Sequence, residues 1–184
     1  MGPLPGRTRG SDLKHLFEQV HDETLAYVQQ ELKHYRSGVK PTDLAGPAGR
    51  IGEGGTYEVR FGISVPAAYV GQSLQVACWP EDGAAYFGLV VIPRDGENLL
   101  DQSNSKLRRH VDALVDAGFV PNSGTEPSWY SRHEAEAVLA SDDAPTALLN
   151  LLKPDVTTVV KSGILRYDVT EPLPRPLRRK KLKT

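Results

Sequence analysis

The apolar side chains near the start of the sequence recur at helical spacing: Leu13, Leu16, Phe17, Val20, Val28, Leu32 and Tyr35 lie on one stripe, with Lys14, Glu18, Gln29, Gln30 and Lys33 on the opposite side. This predicts a long helix with Ser11 as its N-cap, Asp12 favourable in the first turn, and an end near Ser37 with Gly38 as the stop. Residues 38–55 hold six glycines and two prolines and read as a long loop.

The period then changes to two. Tyr57, Val59, Phe61, Ile63 and Val65 alternate with Glu58, Arg60, Gly62 and Ser64, the mark of a strand with one dry face. A second strand is expected over Leu74–Trp79, a turn at Pro80-Glu81-Asp82-Gly83, and a third strand over Tyr86–Ile92, apolar on both faces. Three strands joined by short links make an antiparallel meander.

Helical spacing returns at Leu107, Val111, Leu114 and Val115, in a helix starting near Asn104 or Ser105 and stopped by Gly118, after which Phe119 folds back onto the core. The stretch from Val120 to Ser128 reads as loop. Ser131-Arg132-His133-Glu134 matches a capping box and places a short helix over about 132–140. Asp142-Asp143-Ala144-Pro145 opens another, burying Leu148, Leu149, Leu151 and Leu152 and ending before Pro154. Val156–Val160 and Ile164–Val169, flanking Lys161-Ser162-Gly163, read as a terminal hairpin. Helix over 155–162 is the alternative, since Val156, Val159 and Val160 also fit that period.

These elements imply an α+β fold of two layers, an antiparallel sheet (the meander plus a C-terminal hairpin) covered on one face by helices. Residues 11–170 form one domain, with a disordered N-terminus over 1–10 and a basic disordered tail over 171–184. The order of elements is loosely similar to that of the small α+β chaperones of type III secretion. That similarity lies in element order alone, and the short helices at 132–152 depart from it.

Composition narrows the picture. At 184 residues and 39% hydrophobic the chain can bury a core, which excludes a disordered protein. One cysteine, Cys78, excludes an internal disulfide framework and suits a reducing compartment. No apolar run reaches eighteen residues, no signal-peptide core is present at the N-terminus, and Gly6 stands where a myristoylation signal needs serine or threonine. A cytoplasmic location is expected. Net charge is −1, yet Arg175, Arg178, Arg179, Lys180, Lys181 and Lys183 hold six of the 22 basic residues, leaving 16 against 23 acidic ones, a formal −7 for the rest. Attraction to a phosphate backbone therefore has to sit in the tail or a local patch.

Catalytic patterns are missing where they would be sought. No two histidines of the first helix stand four apart as a zinc pair, and His133-Glu134 is followed by Ala137 where a metalloprotease motif needs histidine. All five histidines read as solvent-facing or cap-adjacent. The glycine-rich run from Gly49 to Gly55 precedes a strand instead of following one, so it is a flexible entry to the sheet and not a phosphate loop. Cys78 within VACW reads as a small hydrophobe. The acidic pairs Glu81-Asp82 and Asp142-Asp143 are explained by turn and cap chemistry. No cofactor or metal is called for.

Two features point to binding. Trp129-Tyr130, beside Arg132 and His133, could line a groove for a peptide or stack on a base, against the plainer reading in which one ring closes the core and the other shields it. The tail, PLPRPLRRKKLKT, lacks the P-x-x-P spacing of groove ligands but is cationic enough for salt-sensitive, sequence-blind attraction. The expected function is a non-enzymatic protein-binding module, chaperone-, adaptor- or immunity-like, working with a protein partner and admitting a homodimer. The alternative is a nucleic-acid-associated protein of a bacterial defence or mobile-element system, anchored by the basic tail.

Overall fold

The computed structural model describes residues 10–35, 40–41, 50–51, 57–64, 73–92, 105–122 and 128–164. In chain order the elements are helix α1 (Gly10–His34), strands β1 (Lys40–Pro41), β2 (Arg50–Ile51), β3 (Tyr57–Ser64), β4 (Ser73–Glu81) and β5 (Ala84–Ile92), helix α2 (Ser105–Val115), strands β6 (Val120–Asn122), β7 (Ser128–Tyr130) and β8 (His133–Glu134), and helices α3 (Glu136–Leu139) and α4 (Ala144–Ser162). The strands form an open antiparallel sheet in the order β1-β3-β4-β5-β7-β6, with β2 also on β3 and β8 also on β5. Helices accompany it, and the fold is α+β as the sequence implies.

Alternation along the central strands decides which face is dry. Leu74, Val76 and Cys78 of β4 and Ala85, Phe87, Leu89 and Val91 of β5 are buried on the helix side. Phe17 of α1 meets Phe87 edge-to-face with ring centroids 5.9 Å apart. Leu114 and Phe119 bring in α2 and its following turn, and Val156, Val159 and Val160 bring in α4. Each fully buried side chain of this size contributes about 1.5–3 kcal/mol. Polar links also join the helices: Tyr27 and Thr157 share a hydroxyl hydrogen bond of 2.9 Å between α1 and α4, and His110 Nδ1–H of α2 donates to the Ser162 carbonyl at the end of α4, 2.7 Å away.

Several sequence readings shift. Helix α1 begins at Gly10, so Ser11 lies within its first turn instead of capping it. The 38–55 loop contains the short strands β1 and β2. The reversal between β4 and β5 is only Asp82-Gly83, both at positive φ (50° and 82°), with Glu81 opposite Ala84. An Asp-Gly pair in that conformation follows the right-handed strand twist, so pairing continues to the turn and includes Pro80 and Glu81. Val120–Asn122 is a strand and not loop, held against β7.

The capping box is overturned. Trp129 to Glu134 runs along β5 in one register (Val91 opposite Trp129, Val90 opposite Tyr130, Phe87 opposite His133, Tyr86 opposite Glu134), and helix begins only at Glu136, with Ala135 as its N-cap. The alternation Trp129, Ser131, His133 faces the core, and a strand satisfies it where a helix would scatter it.

The terminal hairpin is overturned as well. Val156–Val160 is helical, the alternative reading, and α4 runs through Pro154 to Ser162, with Gly163 in the left-handed region (φ 77°) as its C-cap. An internal proline costs about 3 kcal/mol. Burying three valines on one helical stripe offsets that, and the Asn150 carbonyl deprived of its donor sits with Pro154 on the exposed side, within reach of water. Leu151 is half-buried, while Leu148, Leu149 and Leu152 are buried as expected. Most of the second arm, from Leu165, lies outside the described residues.

Candidate functional site

The same alternation that buries one face of the sheet presents the other. On β4 the outward positions are Gln75, Ala77, Trp79 and Glu81. The two-residue turn sets Trp79 directly opposite Tyr86, and Val90 opposite Tyr130. The three rings gather there. Trp79 lies 6.4 Å from Tyr86 with planes tilted by 32°, and meets Tyr130 edge-to-face at 5.5 Å and 90°. Gly88 sits between them in register, opposite Ala77. A side chain at Gly88 would collide with the Ser131 carbonyl and come within 2.8 Å of the Trp79 ring, so glycine is what lets both approach.

Charge frames the cluster. The Arg132 guanidinium stacks over Tyr86, 4.1 Å from the ring centroid. Its hydrogen bond to Tyr86, with Glu81 beside it, holds its pKa above the ordinary arginine value. Glu81 accepts from the Trp79 indole N–H at 3.2 Å and faces Arg132 at 3.6 Å. At this exposure the ion pair adds little stability; it orients the rings. Beside the cluster lies a groove of about 390 Å³, floored by the buried Gln75 and Ala77, walled by Trp79, Val90 and Tyr130, and bordered by Pro80, Glu81, Asn122 and Ser128. A few polar groups among aromatic and small apolar ones is the make-up of a ligand site.

A second polar cluster lies on the inner side of the same strand. Ser131 and His133, two residues apart, both point at Asp155 of α4. Ser131 Oγ donates to Asp155 Oδ2 at 2.5 Å and His133 Nε2–H donates to the same oxygen at 2.7 Å. Ser131 Oγ also accepts the Leu89 N–H at 2.9 Å, while the Ser131 N–H donates to the Leu89 carbonyl at 3.0 Å. The hydroxyl thus takes the place of the Ser131 carbonyl in the ladder, and that carbonyl turns toward Gly88. In a nucleophile relay the imidazole stands between hydroxyl and carboxylate. Here the carboxylate stands between the other two and the hydroxyl is 4% exposed with its residue, so this cluster locks strand to helix.

No protein-family model, curated protein or solved structure matches this chain.

The aromatic pair singled out in the sequence divides between them. Trp129 is fully buried on the inner face, as the plainer reading had it, whereas Tyr130 and Arg132 belong to the outer cluster. Arg175, Arg178, Arg179, Lys180, Lys181 and Lys183 lie outside the described residues. Sequence reading missed Trp79, Tyr86 and Glu81. The Asp82-Gly83 pair was the available signal, since a two-residue turn fixes the register that juxtaposes Trp79 and Tyr86. His110 corrects the histidine reading: it is fully buried and bonded to a helix-terminal carbonyl. Cys78 behaves as the hydrophobe expected, buried, with desolvation pushing its thiol up to about 12. Among the described residues no group of three or more His, Cys, Asp and Glu is placed to hold a metal ion, and no helix is long and apolar enough to cross a membrane.

Proposed function

We propose that the chain is a non-enzymatic protein-binding module, adaptor-like, whose docking surface is the outer face of the sheet. The observation that carries this reading is the Trp79, Tyr86 and Tyr130 cluster with Arg132 over it, on the face turned away from the helices. Trp, Tyr and Arg are the residues that dominate binding energy at protein interfaces, because they bring large contact area with few rotors and a polar tip each. Glu81, Asn122 and Ser128 supply a polar border of the kind that surrounds such anchors.

The test is affinity capture with the intact chain and with a Trp79→Ala, Tyr130→Ser double variant of unchanged circular dichroism. A stoichiometric partner is recovered by the first and lost by the second. Equal recovery by both, or none by either, overturns the reading.

A further inference from the structure

We propose that Asp155, on the far side of the sheet, is a positioning residue for the outer cluster and acts on it through Ser131. Its role as such rests on the outer face being the docking surface, and it adds what holds that surface in shape. Ser131 stands between Tyr130 and Arg132 in the chain. The segment that carries two outer anchors is therefore gripped from within by the residue between them. Ser131 and Asp155 are only 4% and 8% exposed, so water competes little for their hydrogen bond.

The grip works by a choice of acceptor. Leu89 is fully buried, so its N–H has to be bonded, and two oxygens of Ser131 compete for it. In a regular antiparallel ladder with this register the main-chain carbonyl takes such a bond. Here the hydroxyl takes it, at 2.9 Å, while its own hydrogen is committed to Asp155 Oδ2. That commitment leaves a lone pair facing the strand. The displaced carbonyl lies on the outer side at Gly88, in the space a Cβ would fill and beside the Trp79 ring. The same peptide unit leads into Arg132, opposite Gly88 in register, whose guanidinium sits 4.1 Å from the Tyr86 ring centroid.

Without the carboxylate the hydroxyl loses its fixed orientation, and the carbonyl turns back into the ladder. That turn empties the space above Gly88, withdraws a group packed beside Trp79, and rotates the peptide from which Arg132 extends, so the guanidinium leaves Tyr86. His133 steadies the carboxylate for this task, since its Nε2–H donates to the same Oδ2 at 2.7 Å. One oxygen of Asp155 thus receives both hydrogen bonds, and an amide oxygen in its place can receive them too. The coupling is reciprocal: a partner that grips Tyr130 and Arg132 in this arrangement also holds the strand against α4.

The experiment compares the intact chain with Asp155→Ala, Asp155→Asn and Val159→Ala by two-dimensional NMR. Val159→Ala thins the buried face of the same helix and controls for general loosening, because the cavity it leaves destabilises without touching the cluster. The signals are the cross-peaks between the Arg132 side chain and the Tyr86 ring, the Arg132 Nε–H and the Trp79 indole N–H. Asp155→Ala loses the cross-peaks and shifts both N–H signals, whereas Asp155→Asn and Val159→Ala keep all of them. If Asp155→Ala does not fold, Ser131→Ala takes its place, with the same loss expected. Unchanged signals in the alanine variant overturn the proposal, as does an equal loss in Val159→Ala. Loss in Asp155→Asn overturns it as well, since asparagine retains the accepting oxygen. None of these signals requires a partner. A failed capture therefore removes the docking surface and leaves the coupling, while unchanged signals with capture intact remove the coupling alone.

Discussion

Ser131 carries more of the structure than its size suggests. Its hydroxyl completes the β5 ladder and ties the strand to α4 through Asp155. Ser131→Ala leaves the Leu89 N–H without that acceptor, a loss of about 1–3 kcal/mol, read as a lower urea midpoint at unchanged slope. Asp155→Ala, which strips the acceptor from both Ser131 and His133, lowers the midpoint further; an equal or smaller effect would show that the cluster is not a lock. Gly88→Ala forces a methyl group against the Ser131 carbonyl and the Trp79 ring, and overpacking of this kind costs about 1–3 kcal/mol. At Cys78 the raised pKa makes the folded thiol unreactive. Alkylation by iodoacetamide at neutral pH is expected only after denaturant is added. Because the folded value lies above the ordinary 9.0, the stability Cys78 contributes is full below that value and is lost as pH rises toward about 12.

Element boundaries turn on local chemistry that can be titrated. Asp143 caps α4 by accepting the Thr146 N–H at 3.1 Å, and hydrogen bonding to Thr146 holds its pKa below the ordinary 3.8. A depressed carboxylate adds stability above its unfolded pKa that is lost as pH falls through the folded value. Asp143→Asn therefore keeps most of the cap at neutral pH, since Asn is as good an N-cap, while flattening the acid limb below about pH 4 in thermal unfolding. Asp143→Ala lowers the melting temperature at both pH values. The start of α4 was legible because capping and Pro145 are short-range signals. Its end was not, because Pro154 argues locally for a stop and only the core facing Val156, Val159 and Val160 overrules it.

For the whole molecule, the charge asymmetry gives a separable expectation. Truncation at residue 171 takes the formal charge from −1 to −7 and should abolish whatever low-salt attraction the intact chain shows for duplex DNA; retention after truncation would place it elsewhere. The periodicities of the sequence by themselves determined α1, the meander, α2 and the α+β class, because a stripe of period 3.6 or 2 can bury itself in only one kind of element. Tyr130 and Arg132 were singled out by a local cue of another kind, adjacent aromatics beside an arginine after a loop. Only the tertiary structure decided that Trp129 faces inward, that Trp79 and Tyr86 join Tyr130 outside, and that Ser131, His133 and Asp155 form a lock and not a helix cap. Those outcomes depend on strand register and on which face α4 covers, and register is set between segments far apart in the chain, where local propensity carries no information.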